Sequence, residues 1–136
     1  MQLNPYLQFD GNCAEAFHFY EQCLGGTIVM MMKAGESPMA TQVPPERQND
    51  IIHARLTVGE KVLMGSDAMA GSYTAPTGFH VTIGLDDPAA ADRLFAALAE
   101  GGSVRMPIQE TFWAHRFGML VDRFGTPWMI NCEKPR

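Results

Sequence analysis

Basic residues are scarce in this chain: Lys and Arg number 10 against 15 Asp and Glu, for a formal charge of −5. They are also scattered, and affinity for nucleic acid rests on clustered Lys and Arg, so the balance argues against a nucleic-acid partner. Cysteine is sparse as well. Cys13, Cys23 and Cys132 are odd in number and show no CxxC or other ligand spacing, which supports neither a disulfide framework nor a zinc site. Reduced, mostly buried thiols are expected. No run reaches the roughly 18 apolar residues that cross a bilayer, and the opening Met1-Gln2-Leu3-Asn4-Pro5 has no basic stretch leading into an apolar core. The expectation is a soluble, cytoplasmic chain with no membrane partner.

What the chain does have is material for one core, arranged in a pattern that repeats. Its 136 residues are 46% hydrophobic, which suits a single domain better than two. Ten methionines are present, and an unbranched thioether fills irregular gaps, so they serve either as core filler or as an adaptable pocket lining. Residues 15–24 space Ala16, Phe17, Phe19, Tyr20 and Leu24 for an amphipathic helix, with Asn12 as its N-cap. Residues 88–100 do the same with Ala91, Leu94, Phe95 and Leu98, behind Asp87 as cap and Pro88 at the first helical position.

Both helical stretches run into Gly-Gly, and Leu24-Gly25-Gly26-Thr27-Ile28-Val29-Met30 aligns with Glu100-Gly101-Gly102-Ser103-Val104-Arg105-Met106 at an offset of 76 positions. Leu7, Phe9 and Asp10 fall on Ile83, Leu85 and Asp86 at the same offset. Such a run of coincidences points to duplication. Each half continues through a loop into two strands, 50–58 with 61–66 and 115–122 with 127–132, joined by tight glycine-containing turns that predict hairpins. The expected fold class is α+β. It is a single domain of two βαβββ modules, 1–67 and 78–136 with 68–77 as linker, whose curved mixed sheet lines a concave pocket with helices outside. The loops at 34–48 and 68–77 read as mobile or lid-like.

Strand alternation then sorts side chains into a helix-side set and a set facing the hollow. Leu7 and Phe9 suit the helix side, leaving Asn4, Tyr6 and Gln8 opposite; Val81, Ile83 and Leu85 leave His80, Thr82 and Gly84. In 50–58, Ile52, Ala54, Leu56 and Val58 form the apolar set, and His53, Arg55 and Thr57 face the other way. Neutral imidazole can ligate a metal or take a proton near neutral pH, and guanidinium can grip a carboxylate or phosphate through two parallel hydrogen bonds. The alternative is that His53 and Arg55 bond within a dimer interface or to a neighbouring loop. Trp113, with Phe112 and Phe117, makes either a flat apolar pocket wall or core, and His115 and Arg116 beside them add polarity. His18, on the first helix, is expected at the surface.

Several segments resemble those of a known family. Pro5-Tyr6-Leu7-Gln8-Phe9, Gly11-Asn12-Cys13, Glu15-Ala16 and Phe19-Tyr20…Leu24-Gly25-Gly26 look like the opening of the PhnB-like branch of the glyoxalase/bleomycin-resistance, or vicinal oxygen chelate, superfamily. Leu63-Met64-Gly65-Ser66-Asp67, Thr111-Phe112-Trp113 and Asp122-Arg123-Phe124-Gly125-Thr126-Pro127-Trp128-Met129-Ile130-Asn131 resemble its later motifs. The resemblance implies paired βαβββ modules, usually dimeric. In the enzymes of that family it also implies a divalent metal on His and Glu ligands that stabilises an enolate-like species as a Lewis acid. The implied ligand positions fall near Asn4 or Pro5, Met64 or Ser66, His80, and Met129. Of these only His80 is a good ligand for such a cation, since thioether is a poor partner beside oxygen donors. Trp113-Ala114-His115-Arg116 also departs from the Gly-Asp that many relatives carry between tryptophan and arginine. Some relatives bear a ubiquinone methyltransferase label, but no Gly-rich strand-to-helix loop of the nucleotide-binding kind follows either early strand.

The function expected is small-molecule binding without a complete metal-ligand set, as a homodimer. The candidate ligand-binding residues are Tyr6, Gln8, His53, Arg55, Met64, His80, Thr82, Trp113, His115 and Met129. No cofactor is expected, and His80 is the one weak metal candidate. The alternative is a metal-dependent lyase, isomerase or dioxygenase using His80 and His53, with Arg55 orienting an anionic substrate.

Overall fold

The computed structural model describes residues 1–134, which divide into two compact units, Met1–Thr74 and Ala75 onward. The first unit runs β1 (Tyr6–Phe9), α1 (Cys13–Leu24), β2 (Thr27–Lys33), β3 (Ile51–Val58) and β4 (Lys61–Asp67). The second runs β5 (Val81–Gly84), α2 (Pro88–Ala99), β6 (Ser103–Gln109), β7 (Ala114–Val121) and β8 (Pro127–Glu133). Each unit is thus a βαβββ module, and the fold is α+β.

The strands form two four-stranded mixed sheets, β1-β4-β3-β2 and β5-β8-β7-β6, in which the first strand of each unit lies parallel to its last and the remaining pairs are antiparallel. Each helix carries the chain from one edge of its sheet to the other. The apolar stripe of α1 explains its position: Phe17 and Tyr20 are fully buried and meet Phe9 of β1 at ring-centroid distances of 6.1 and 6.4 Å. In the second unit Phe95 and Leu98 of α2 are buried, as are Leu120, Trp128 and Ile130 of the sheet. Burial on this scale contributes about 1.5–3 kcal/mol per large side chain.

The helix starts differ. Asp87 caps α2 as its sequence predicts, accepting from the Ala89 amide at 3.2 Å, with Pro88 behind it. Asn12 makes no side-chain cap on α1. The first helical amide, Cys13 N–H, donates instead to Oδ1 of Asp67, at the far end of β4, at 2.9 Å. Oδ2 of the same carboxylate accepts from the Ile51 amide at 2.8 Å. A carboxylate at a helix N-terminus also meets the positive end of the helix dipole, so one side chain joins α1, β3 and β4.

The glycine pairs end the helices and then do something more. Gly25 and Gly101 have φ of 69° and 75°, a conformation that favours glycine. The second glycine of each pair lies against the neighbouring strand: a Cβ on Gly26 would meet the Thr57 carbonyl oxygen, and one on Gly102 the Val121 carbonyl oxygen. These are backbone atoms that cannot swing aside. Gly102→Ala is expected to cost about 1–3 kcal/mol; a urea midpoint equal to that of the parent would contradict the close approach.

The pairing also carries a repeated irregularity. Ile28 pairs with Leu56 and Met30 with Arg55, leaving Val29 as an extra residue; Val104 pairs with Leu120 and Met106 with Met119, leaving Arg105. Val29 and Arg105 are 76 positions apart. A second bulge sets Lys33 opposite Ile51 and Met32 opposite His53, so Ile51 rather than Ile52 takes the fully buried place. The segment expected to be lid-like is pinned. It folds into short 3-10 turns at Ala34–Glu36, Ala40–Gln42 and Pro45–Arg47. The Gln48 side-chain amide donates through Nε2 to the carbonyls of Ala40 and Val43, and Arg47 donates to Ala68 O while pairing with Asp50 at 2.8 Å.

Candidate functional site

The helix-free face of each sheet is where the expected site residues gather, and the register decides which of them are neighbours. In the first unit Tyr6 lies opposite Met64, Met64 opposite Arg55, and Arg55 opposite Met30, forming one row across all four strands. Beside it, Gln8 lies opposite Ser66 and His53 opposite Met32. Tyr6, Met30 and Met32 are exposed, while His53, Arg55 and Met64 are half-buried. The Tyr6 and His53 rings stack at 6.0 Å and 25°. Among the described residues Arg55 Nη2 reaches only the Met64 sulfur, at 3.7 Å, and its Nε is buried with no partner.

The second unit repeats the row with different chemistry. Thr82 lies opposite Met129, Met129 opposite Met119, and Met119 opposite Met106. Thr82 Oγ1 donates to the Met129 sulfur at 3.6 Å. One step along, Gly84, Asn131, Phe117 and Gln109 form a parallel row, and Asn131 Oδ1 is buried without a partner. Trp113 packs edge-on against Phe117 at 5.3 Å and against Phe112 at 4.7 Å, yet remains exposed. These rings border the face and are not core.

The remaining expected residues lie apart from the rows. His80 is half-buried and immediately precedes β5. His115 is the extra residue of a bulge, between Ala114 opposite Glu133 and Arg116 opposite Cys132. Arg116 adds no polarity beside Trp113: its Nε is held by Asp92 of α2 at 3.0 Å, so it faces the helix. His18 is exposed. Met30, Met106 and Met119 in the rows, and Met32 beside the first of them, are positions that alternation alone missed. Continuing the alternation from buried-side Ile28 puts Met30 under the helix; the bulge at Val29 turns it to the open face.

The later motif is accounted for by structure. Asp122, buried in the turn between β7 and β8, accepts from the Phe124 and Thr126 amides through Oδ1 and from Trp128 Nε1 through Oδ2. Two of the three thiols are closed off by the fold. Cys13 and Cys132 are fully buried, and burial, then the nearby Asp67 carboxylate, pushes the Cys13 thiol well above its ordinary range. Iodoacetamide at mildly alkaline pH is expected to leave Cys13 unmodified until denaturant is added. Its alkylation in the folded protein would contradict this placement.

The sequence profile of the Glyoxalase/Bleomycin resistance protein/Dioxygenase superfamily matches residues 2–130. The chain belongs to that superfamily. It is 37% identical to protein YjdN of Escherichia coli over 98% of this chain and 97% of YjdN. Among solved structures it matches protein PA1353 from Pseudomonas aeruginosa at 50% identity and a TM-score of 0.91, covering 99% of each chain. The PhnB protein from Bacillus cereus matches at a TM-score of 0.82 and 23% identity, over 97% of this chain and 99% of that one, a likeness of fold.

Glyoxalase-superfamily membership raises the question of a divalent metal. Among the described residues no group of three or more His, Cys, Asp or Glu side chains comes together. At the positions the family resemblance marks, Met64 and Met129 present thioethers, one engaged by Arg55 and the other by Thr82. This donor set does not fit a hard divalent cation.

Proposed function

We propose that this glyoxalase-superfamily protein binds a small, partly apolar organic compound on the helix-free faces of its sheets, using side chains alone. The observation that carries the reading is the pair of rows in which methionines, and no carboxylates, stand at the centre of each face. Flexible thioethers adapt to a ligand's outline, and Tyr6, Phe117 and Trp113 supply flat apolar surface. As part of the same reading, the chain acts as a homodimer, because each sheet has strand edges to cover and exposed Val29, Val104 and Met106 on its outermost strands. Light scattering is expected to give twice the chain mass, and a monomer at micromolar concentration would contradict this.

Metal content tests the reading directly. Protein purified without chelator, then incubated with Mn²⁺, Ni²⁺ or Zn²⁺ and desalted, is expected to retain far less than one equivalent, and EDTA is expected to leave binding of naphthylmethanol unchanged. Stoichiometric metal that disappears in His80→Ala would overturn it in favour of metal-dependent chemistry.

A further inference from the structure

Arg55 occupies the middle of the first unit's open face, and its charge is uncompensated. No ion pair engages it among the described residues. The side chains that share its row are Tyr6, Met64 and Met30, and those of the adjoining pairs are Gln8, Ser66, His53 and Met32, with no carboxylate among them. A half-buried guanidinium without a counter-charge is costly to keep in a fold, because its desolvation is not offset by a partner.

The details of its hydrogen bonding show what is missing. Nε and Nη2 lie along one edge of a guanidinium, the edge that binds a carboxylate through two parallel N–H···O bonds. In Arg55, among the described residues, Nε has no acceptor and Nη2 has only a thioether at 3.7 Å. Sulfur of this kind is a weak acceptor. Met64 therefore covers the edge without satisfying it, and an unbranched side chain can swing off it readily.

Next to Met64 in the row stands Tyr6, exposed and stacked on His53. Flat rings and thioethers both favour contact with an aromatic ring. A single cation matches a monoanion better than a dianion.

We infer that Arg55 is a binding residue for an aromatic monocarboxylate, whose carboxylate takes the Nε–Nη2 edge while its ring lies over Tyr6 and the displaced Met64. The inference rests on the small-molecule reading above and adds the chemical class to it.

Titration calorimetry with naphthoate, naphthylmethanol and naphthyl phosphate, on the parent, Arg55→Gln and Arg55→Lys, separates the two. Naphthoate is expected to bind the parent more tightly than the other two probes, to lose about tenfold or more in affinity in Arg55→Gln, and to recover only in part in Arg55→Lys, whose ammonium lacks the paired donors. Naphthylmethanol is expected to bind parent and Arg55→Gln alike. Equal binding of naphthoate and naphthylmethanol overturns the inference and leaves the small-molecule reading standing, as does a preference for naphthyl phosphate. Failure of all three probes to bind the folded parent overturns both. Thermal melts of the variants confirm that they fold; Gln retains the Cβ–Cγ–Cδ stem and removes the charge.

Discussion

Asp122→Ala is expected to lower stability by about 3–5 kcal/mol, since each buried N–H left without an acceptor costs about 1–3 kcal/mol. Three donors depend on this one side chain: the Phe124 and Thr126 amides inside the turn, and the indole nitrogen of Trp128, whose ring is among the largest buried groups in its unit. The Thr126 and Trp128 donors are buried, so removing the acceptor leaves them without one. Asp122→Asn is expected to fall between parent and Ala, since one oxygen remains for the turn while an amide N–H₂ meets the indole donor. The measurement is urea unfolding by far-UV circular dichroism, with a thermal midpoint lowered by about 10 °C or more. A loss in Asp122→Ala below about 1 kcal/mol would show that the turn closes without its carboxylate.

The second large effect is expected at Asp67, for a cost of about 2–4 kcal/mol in Asp67→Ala. Both oxygens accept from backbone amides, Cys13 at the start of α1 and Ile51 at the start of β3. Asparagine is the informative replacement. It is nearly isosteric and keeps one acceptor, so whichever amide loses its oxygen faces an N–H₂ group instead; Asp67→Asn should therefore recover only part of the loss. Hydrogen exchange adds a local signature, faster exchange at the Cys13 and Ile51 amides than at the helix interior. Unchanged protection at both would argue that the start of α1 is held by something else.

These two carboxylates show where the sequence was legible and where it was not. Asp87-Pro88 predicts a cap because the cap residue adjoins the amide it serves, and periodicity predicts α1 and α2 because their apolar residues recur on one face. Asp67 serves an amide 54 positions away, and no local pattern announces that. The same divide runs through the site. Alternation places Tyr6, Gln8, His53 and Arg55 off the helix side, as the burial of Leu7, Phe9, Ala54 and Leu56 requires. It does not say which strand lies beside which, and so could not set Met64 between Tyr6 and Arg55. It also fails at each bulge, since one inserted residue reverses every facing after it. Ile51 and Met30 stand next to such insertions, and His115 is one.

The extra residues at Val29 and Arg105 bear on descent. A kink at one matching position in both halves is what copying a half that already carried it would produce. Its side chains have since diverged, valine in one half and arginine in the other, while the methionine following the kink, Met30 and Met106, is the same in both. The two halves thus share the backbone irregularity more closely than the chemistry displayed around it.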